Sequence, residues 1–513
     1  MYIRTLLRFL FSRLFVVGFL ITLQVGVLAF ILWRMSYAEV YLYALFSFIS
    51  LTVVLWIVNK KNDEPFKLIW VILILIFPVF GGLLYLLVDI NHIPVRSKRK
   101  LKKGYELAKK LMVQDEIVAG ELKKVNQAVY PQSKYLYEFG TYPVYWQTET
   151  KFLSPGEIMF AELVAELEKA EHFIFMEYFI IRPGYMWDTV LDILERKAKA
   201  GLDVRVMFDD LGCITNLPYK YAETLKAKGI KYRVFNPIRP TINLILNNRD
   251  HRKITVIDGY VGFTGGINLA DEYINHDGRP IYWKDSSILI KGDAVWNLTV
   301  MFLQVWNYIH QQDLDFMAFH PQKFLKTPAA SDGFVQPFGD SPLDDENVSE
   351  LAYIKILNTA QNYVYISSPY LIIDQLMFSA LSLAAKSGID VRIITPHFGD
   401  KWFVHTVTRS YYQRLIEAGV KIYEYLPGFI HSKVIMADDQ VGIVGSINLD
   451  YRSLYSQFES GVWMYKSQAL TEVKSDFLDC LEQSRLVTLE ECLNISWYLK
   501  LIRALLRLIA PLM

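Results

Sequence analysis

The 513-residue chain has few cysteines and almost no net charge. Its three cysteines, Cys213, Cys480 and Cys492, show no paired spacing and no CxxC pattern, so neither a disulfide framework nor a zinc ribbon is expected. The formal charge of +1 gives no overall attraction to nucleic acid or to anionic lipid. A chain of this length is expected to form two or three folded units.

The N-terminal region contains three long stretches without a charged residue, at 14–33, 40–58 and 68–88. A helix needs about 20 apolar residues to cross the hydrocarbon core of a bilayer, and it satisfies its own backbone hydrogen bonds there. The sequence therefore predicts two or three transmembrane helices, with a buried helical core as the alternative. Pro78 and the pair Gly81 and Gly82 predict a kink or a re-entrant turn in the third stretch.

Eight lysines and arginines follow the third stretch, between Arg96 and Lys110. Basic residues beside membrane helices favour the cytoplasmic side, which places the rest of the protein in the cytoplasm. Three full spans then put the N-terminus outside, despite Arg4, Arg8 and Arg13; the conflict disappears if only two stretches span. Residues 1–110 are therefore predicted to form a membrane region that ends in a basic juxtamembrane segment.

Beyond residue 110 strand-like and helix-like segments alternate, which is typical of a layered α/β architecture. One order of segments occurs twice: strand, helix and strand at 172–181, 188–201 and 203–209 return at 362–372, 376–388 and 390–396. The matching pieces AGLDVRV and SGIDVRI make the duplication visible. We expect two domains, at 111–335 and 336–490, with a linker rich in proline, glycine and acidic residues at 333–349.

Each half carries one copy of a polar motif, HRKITVIDGYVGFTGGIN from His251 and HSKVIMADDQVGIVGSIN from His431. The shared positions are Lys at +2, Asp at +7, Gly at +14 and Asn at +17. They are Lys253, Asp258, Gly265 and Asn268 in the first copy, and Lys433, Asp438, Gly445 and Asn448 in the second. A purely structural repeat preserves apolar positions, whereas this one preserves polar positions, so we predict a functional site.

The motif positions fit phosphoryl-transfer chemistry. Histidine serves as a nucleophile or as a general acid and base, and period-two alternation is expected to place His and Lys on one face of a strand, where Lys neutralises phosphate oxygens. The Asp is expected to orient a histidine ring, the Gly to let backbone approach a ligand, and the Asn to bind phosphate. Because covalent transfer needs a nucleophile and an acid, we expect both histidines to face one phosphate across a pseudo-twofold axis.

HxKxxxxD followed by GxxN, present twice, is the signature of the phospholipase D superfamily, and the chain resembles bacterial cardiolipin synthases within it. The resemblance covers EPFKLIWVILILIFPVFGGLLYLL near the membrane region and blocks such as FMEYFIIRPG, GGINLADEY, SSPYLIID and GSINLDYRS. It implies N-terminal transmembrane helices followed by a duplicated phospholipase D-type α/β domain with one shared active site. Ser287 and Gln457 stand where the family often has His and Asn, which leaves the headgroup preference open.

The resemblance also implies a reaction in which two phosphatidylglycerol molecules of the bilayer give cardiolipin and glycerol. His251 is then the nucleophile and His431 the acid and base, with no metal or other cofactor. Tyr370 is expected either to contact lipid or to pack in the core, and Glu459 is a candidate to orient a motif histidine.

Other functions remain open on the sequence alone. A membrane-bound phospholipase D, a phosphatidylserine synthase and a nuclease share the motif, and an inactive membrane-anchored scaffold is an alternative of another class. The membrane stretches argue against a nuclease, which has no need of them and is expected to show a basic catalytic region.

The C-terminal segment, 491–513, is predicted to be amphipathic. Lys500, Arg503 and Arg507 are spaced by three and four residues, so they form one stripe on a helix. Apolar residues fill most of the remainder, and Trp497 and Tyr498 suit a membrane interface. We expect this segment to lie on the membrane; the alternative is a helix packed on the second domain with its basic stripe in solvent.

Overall fold

The computed structural model describes residues 37–60, 64–78, 80–82, 85, 104–218, 220–237, 248–309, 314–343 and 346–512, together with positions 22 and 26. Apart from those two positions, the predicted stretch 14–33 lies outside the described residues, as do residues 96–103 of the basic segment. The chain divides into two compact units. One contains residues 1–93, 238–247 and 508–512, and the other contains residues 94–237, 248–507 and 513.

The described residues of the first unit include two helices, α1 (Tyr37–Asn59) and α2 (Glu64–Ile76), which bury a small cluster of apolar side chains including Ile57, Trp70 and Ile74. α2 ends two residues before Pro78 because proline cannot continue a helix, so the third stretch is broken where the sequence predicts a kink. Within the described part of the chain, no helix is both long enough and apolar enough to cross a membrane. The transmembrane helices therefore stay a prediction.

The first half of the second unit supplies nine strands and seven helices among the described residues. The strands are β1 (Thr148–Leu153), β2 (Phe173–Tyr178), β3 (Asp203–Asp209), β4 (Lys231–Phe235), β5 (Arg249–Asp250), β6 (Ile254–Ile257), β7 (Val261–Gly265), β8 (Tyr282–Lys284) and β9 (Ser287–Gly292). The helices are α3 (Glu116–Val125), α4 (Tyr130–Glu138), α5 (Gly156–Lys169), α6 (Tyr185–Lys199), α7 (Asp210–Cys213), α8 (Tyr221–Ala227) and α9 (Val295–Ile309). Seven of these strands form one sheet in the order β1-β9-β7-β6-β2-β3-β4.

The second half repeats this layout. Its strands are β10 (Phe334–Asp340), β11 (Tyr363–Ser367), β12 (Leu371–Ile372), β13 (Asp390–Pro396), β14 (Lys421–Tyr425), β15 (Gly428–Ile430), β16 (Val434–Ala437), β17 (Val441–Gly445), β18 (Leu449–Asp450), β19 (Gln457–Tyr465) and β20 (Ser484–Leu486). Its helices are α10 (Val348–Thr359), α11 (Gln375–Lys386), α12 (Trp402–Glu417), α13 (Tyr451–Tyr455), α14 (Ala469–Glu482), α15 (Leu489–Leu493) and α16 (Trp497–Leu508). The sheet order is β10-β19-β17-β16-β11-β13-β14-β20.

The predicted duplication is visible in the two sheets, because β9-β7-β6-β2-β3-β4 follows the same path as β19-β17-β16-β11-β13-β14. The predicted strand–helix–strand segments are confirmed as β2, α6 and β3, and again as β11, α11 and β13. Just beyond the two helices, Gly201 and Gly388 have φ of +96° and +94°. This left-handed conformation ends a helix and favours glycine.

The linker predicted at 333–349 is wrong for its first part. Residues Phe334–Asp340 form β10, a buried edge strand that pairs antiparallel with β19. An edge strand tolerates Pro337, because proline lacks only the N–H that a neighbour on one side would use. The proline and glycine content therefore marks a sheet edge at this position.

Two short strand pairs join the halves and position the site. β5 pairs in parallel with β19, with Asp250 opposite Phe458. β8 pairs in parallel with β15, with Lys284 opposite Ile430. The first pair is followed directly by His251 on one segment and by Glu459 on the other. The second pair is followed directly by His431 and by Asp285.

Candidate active site

The strand pairs between the halves set the position of both motif histidines. The backbone N–H of His251 donates to the carbonyl of Phe458 at 3.0 Å, and that of His431 donates to the carbonyl of Lys284 at 2.6 Å. In each case the residue after the accepting carbonyl is acidic, Glu459 or Asp285. Each histidine therefore meets a carboxylate that comes from the opposite half.

Both histidine rings bind these carboxylates through Nδ1. The distance from His251 Nδ1 to Glu459 Oε1 is 2.9 Å, and that from His431 Nδ1 to Asp285 Oδ2 is 2.6 Å. All four side chains are buried. The arrangement leaves Nε2 of each ring as the reactive nitrogen. Glu459, a candidate to orient a motif histidine, is thus in contact with the ring of His251, and Asp285, which was not predicted, has the equivalent place beside His431.

Glu459 is surrounded by hydroxyl groups. Its Oε2 accepts a hydrogen bond from Ser446, and its Oε1 accepts one from Ser453 in addition to the ring of His251. Burial raises the pKa of Glu459 to about 7, although the nearby Lys253 opposes the shift. Asp285 is held differently, because its Oδ1 accepts the backbone N–H of Ser286 at 2.8 Å.

Lys253 and Lys433 lie beside the histidines, but not as strand residues. β6 begins at Ile254 and β16 at Val434, so the predicted placement of His and Lys on one strand face is wrong. Each lysine instead turns back, and its Nζ donates to the carbonyl of its own motif histidine.

The two lysines belong to one electrostatic cluster. Burial lowers the pKa of Lys253 to about 7 and that of Lys433 to about 8. Glu459 and Asp285 both oppose these shifts at both lysines, so the charges of the two halves act on the same small volume. An anionic ligand in this volume would raise both pKa values and keep both ammonium groups charged.

The surroundings of both histidines favour the neutral imidazole in the absence of a ligand. Burial, followed by the positive charges of Lys253 and Lys433, holds the pKa of His251 well below its usual value. Burial and Lys433 lower the pKa of His431 to about 4. A neutral imidazole is the form that attacks phosphorus or accepts a proton.

The motif aspartates do not contact the rings, so their predicted orienting role is wrong. Asp258 accepts hydrogen bonds from the backbone N–H groups of Glu171, His172 and Phe173 at 2.7 to 2.8 Å. Asp438 accepts those of Gln361, Asn362 and Tyr363 at 2.7 to 3.0 Å. The physical reason is the strand between each histidine and its aspartate. Because a strand rises about 3.3 Å per residue, the aspartate lies at the opposite end of that strand from the histidine.

The motif glycines and Asn268 also serve the protein framework. A Cβ added at Gly265 would lie 2.5 Å from Cα of Ser287, and one at Gly445 would lie 2.3 Å from the carbonyl oxygen of Ser460. These glycines therefore allow close approach of the adjoining strand. The prediction that they let backbone approach a ligand is wrong. Asn268 accepts the N–H of Ile180 at 3.0 Å and donates to Tyr273 Oη at 2.7 Å, which leaves it one N–H. The Oδ1 of Asn448 is buried without a hydrogen bond.

Aromatic rings surround the histidines unequally. His431 has ring neighbours at centroid distances of 5.3 to 5.8 Å, namely Tyr273, Trp283 and Phe429. His251 has Phe179 at 5.1 Å. Tyr370 lies one ring further out, 6.5 Å from Phe429, and its hydroxyl donates to Asp400 at 2.8 Å. Tyr370 therefore borders the aromatic wall without touching either histidine ring.

Asp285 could have been found by comparing the two halves of the sequence. It is the first residue of the segment DSSIL, and Glu459 is the first residue of ESGVW. Both segments consist of an acid, a serine, a small residue and then apolar strand residues. The structure places the two acids at equivalent points, before β9 and within β19. Ser287, noted as a departure from the family, donates to the carbonyl of Thr264 at 3.0 Å and so links two strands of the first sheet.

The duplicated α/β fold and the two histidine–carboxylate couples define an enzyme of the phospholipase D class. The family model described as "Cardiolipin synthase, PLD-like domain" matches residues 163–288 and 353–481, and the one described as "Phospholipase_D-nuclease N-terminal" matches residues 45–88. The chain belongs to the cardiolipin synthase family, whose members are phosphatidyltransferases.

Individual relatives cover nearly the whole chain. A cardiolipin synthase of Halalkalibacterium halodurans is 34% identical over 510 residues, which is 98% of this chain and 100% of that protein. One of Alkalihalophilus pseudofirmus is 35% identical over 462 residues, 89% and 91% of the two chains. An uncharacterized protein of Streptococcus mutans is 43% identical over 460 residues, 90% and 99%.

A solved structure shares the fold. The crystal structure of phosphatidylserine synthase from Haemophilus influenzae superposes with a TM-score of 0.53 at 14% identity, and the match covers 71% of this chain and 93% of that chain.

Proposed function

We propose that this protein joins two phosphatidylglycerol molecules into cardiolipin, with release of glycerol, at one site built from both halves. The observation that carries the proposal is the reciprocal arrangement of His251 with Glu459 and of His431 with Asp285. Each couple needs a residue from each half, and the two couples share the field of the same lysines. A lone half would supply a histidine without its carboxylate.

In the first step, Nε2 of His251 attacks the phosphorus of one phosphatidylglycerol. The P–N bond forms while the P–O bond to the terminal glycerol breaks, and Nε2–H of His431 gives its proton to the departing oxygen. The products are a phosphatidyl group on His251 and free glycerol. His431 needs a proton for this step, and the anionic phosphodiester favours it by stabilising the imidazolium.

In the second step, His431 is neutral and takes the proton of a terminal hydroxyl of the second phosphatidylglycerol. The oxygen attacks phosphorus as the P–N bond to His251 breaks, which forms cardiolipin and restores both histidines. One phosphodiester is exchanged for another, so the transfer is reversible, and loss of glycerol into water favours synthesis. Asp285 stabilises the imidazolium of His431, and Glu459 that of His251.

The remaining motif side chains hold the phosphate. Lys253 and Lys433 neutralise its oxygens, and this charge replaces what a metal ion supplies in other phosphoryl-transfer enzymes. Asn268 and Asn448 donate to the phosphate through their side-chain amides. Tyr370 contributes to the lipid-facing side of the aromatic wall.

We place the enzyme in the cell membrane, with the catalytic unit on the cytoplasmic side. Two or three of the uncharged stretches at 14–33, 40–58 and 68–88 span the bilayer, and the basic segment that ends at Lys110 stays inside. Single cysteines in the links between these stretches, labelled from outside intact cells, test the number of spans. Labelling of the basic segment from outside contradicts this orientation.

The reaction is tested with purified full-length protein and phosphatidylglycerol as the sole lipid. Cardiolipin and glycerol in equal amounts support the proposal. Phosphatidic acid with glycerol means that water is the acceptor and the protein is a hydrolase. Phosphatidylserine formed in preference to cardiolipin when serine is added supports a phosphatidylserine synthase. No turnover of any substrate supports the inactive scaffold.

A further inference from the structure

The C-terminal helix α16 turns two of its three basic side chains, Arg503 and Arg507, toward the protein. Arg507 places its guanidinium 4.9 Å from the ring centroid of Tyr411 on α12. Arg503 is half-buried, and its Nε is shielded from solvent without a hydrogen bond. The alternative in which this basic stripe faces solvent is therefore wrong for both arginines.

The apolar side of α16 faces outward instead. Trp497, Leu501 and Leu505, spaced by four residues on one side of the helix, are 77%, 53% and 56% exposed. Tyr498 and Ile502 on the adjoining rows are also exposed. A surface helix of a soluble domain normally buries its apolar stripe and exposes its charges. In α16 the apolar side chains are exposed and two arginines turn inward, so the exposed face suits an apolar environment better than water.

Two observations identify a lipid surface as the medium. Residues 495–513 contain no acidic residue, and Lys500, the basic residue that does not turn toward the protein, is exposed, which favours an anionic partner. The chain then passes at 508–512 into the compact unit that contains residues 1–93, the part of the sequence with the long uncharged stretches. An aromatic pair at one end, an apolar stripe and excess positive charge are the features of a helix that lies in a membrane interface.

We propose that α16 lies flat in the interface of an anionic bilayer, with Trp497, Leu501 and Leu505 at the boundary between headgroups and acyl chains. Lys500, which is exposed, reaches lipid phosphates. The helix thereby holds the catalytic unit against the surface that contains its lipids, in addition to any attachment through the N-terminal region. The proposal concerns membrane contact and does not depend on the reaction at the histidines.

The test uses the full chain in vesicles of phosphatidylcholine and phosphatidylglycerol. Leu505→Cys carries an environment-sensitive fluorophore, and lipids with a spin label in the acyl chain serve as quenchers. Leu383→Cys is the matched control, because Leu383 is 62% exposed on the unrelated helix α11. The native cysteines are buried, and unsubstituted protein corrects for their labelling.

The expected result is quenching at position 505 at least twofold stronger than at position 383. Leu501→Cys repeats the measurement on the same face, in case the first variant folds poorly. Equal quenching at 505 and 383 would overturn the proposal. Energy transfer between labelled copies without lipid quenching would overturn it as well, and would identify the face as a contact between two chains.

Discussion

Replacement of Asp285 by Asn removes one negative charge next to His431 with almost no change in shape. The carboxylate accepts two hydrogen bonds, from His431 Nδ1 at 2.6 Å and from the backbone N–H of Ser286 at 2.8 Å. An amide has one oxygen and therefore satisfies only one of these donors. If the oxygen faces Ser286, the ring must accept at Nδ1, and Nε2 then carries the proton and cannot act as a base.

The magnitude follows from the lost charge. A hydrogen bond to a charged group contributes about 1.5 to 3 kcal/mol, and each 1.36 kcal/mol in activation free energy is about tenfold in rate. Loss of the carboxylate is thus expected to lower kcat for cardiolipin formation by roughly 10- to 160-fold. The lipid KM should change little, because the carboxylate binds the histidine and not the substrate.

The assay is the initial rate of cardiolipin formation by reconstituted enzyme across a series of phosphatidylglycerol concentrations. Asp192→Asn is the matched control. Asp192 pairs with Arg196 on α6, and its side chain is 72% exposed, so its loss should change kcat less than about twofold. An Asp285→Asn variant that keeps more than half of the wild-type kcat would refute the role given to this carboxylate.

Three further predictions concern the charges, the motif aspartates and metals. The pH profile of kcat/KM should fall from about pH 7 upward, as Lys253 and then Lys433 lose their ammonium protons; a flat profile contradicts these assignments. Asp258→Ala should lower the free energy of unfolding by about 2 to 4 kcal/mol, because one buried and two partly buried backbone N–H groups lose their acceptor. Asp438→Ala, whose partners are more exposed, should cost less, and equal thermal shifts of the two variants would contradict this reasoning. Cardiolipin synthesis should continue in the presence of EDTA. Loss of activity that Mg²⁺ restores would mean that a metal ion, and not Lys253 and Lys433, neutralises the phosphate oxygens.

The repeated fold could be predicted because its signals are local. Apolar runs such as Phe173–Tyr178, an amphipathic helix that ends before Gly201, and the following DVRVMFD strand each read correctly by themselves. β10 was missed because proline, glycine and aspartate in it suggest a loop. Only the pairing with β19 reveals an edge strand, and pairing partners are not visible in a local segment.

The site was predicted in part for a related reason. The motif located His251 and His431, but their carboxylates stand 208 and 146 residues away along the chain. The contacts arise from parallel pairing between the two halves, which no spacing within one motif encodes. The aspartates inside the motif were assigned to the rings because they were near in sequence, although a strand carries them to the opposite end.

The most direct test of the shared site is detection of the covalent intermediate. Full-length protein is mixed with phosphatidylglycerol, stopped within one turnover and digested, and the peptides are analysed by mass spectrometry under conditions that preserve phosphohistidine. A phosphatidyl adduct on His251 is expected in the wild type. It should be absent in His251→Ala, which should also make no cardiolipin. His431→Ala should keep its fold but turn over no lipid. Steady cardiolipin synthesis by either single variant, or turnover without any adduct on a motif histidine, would contradict the account.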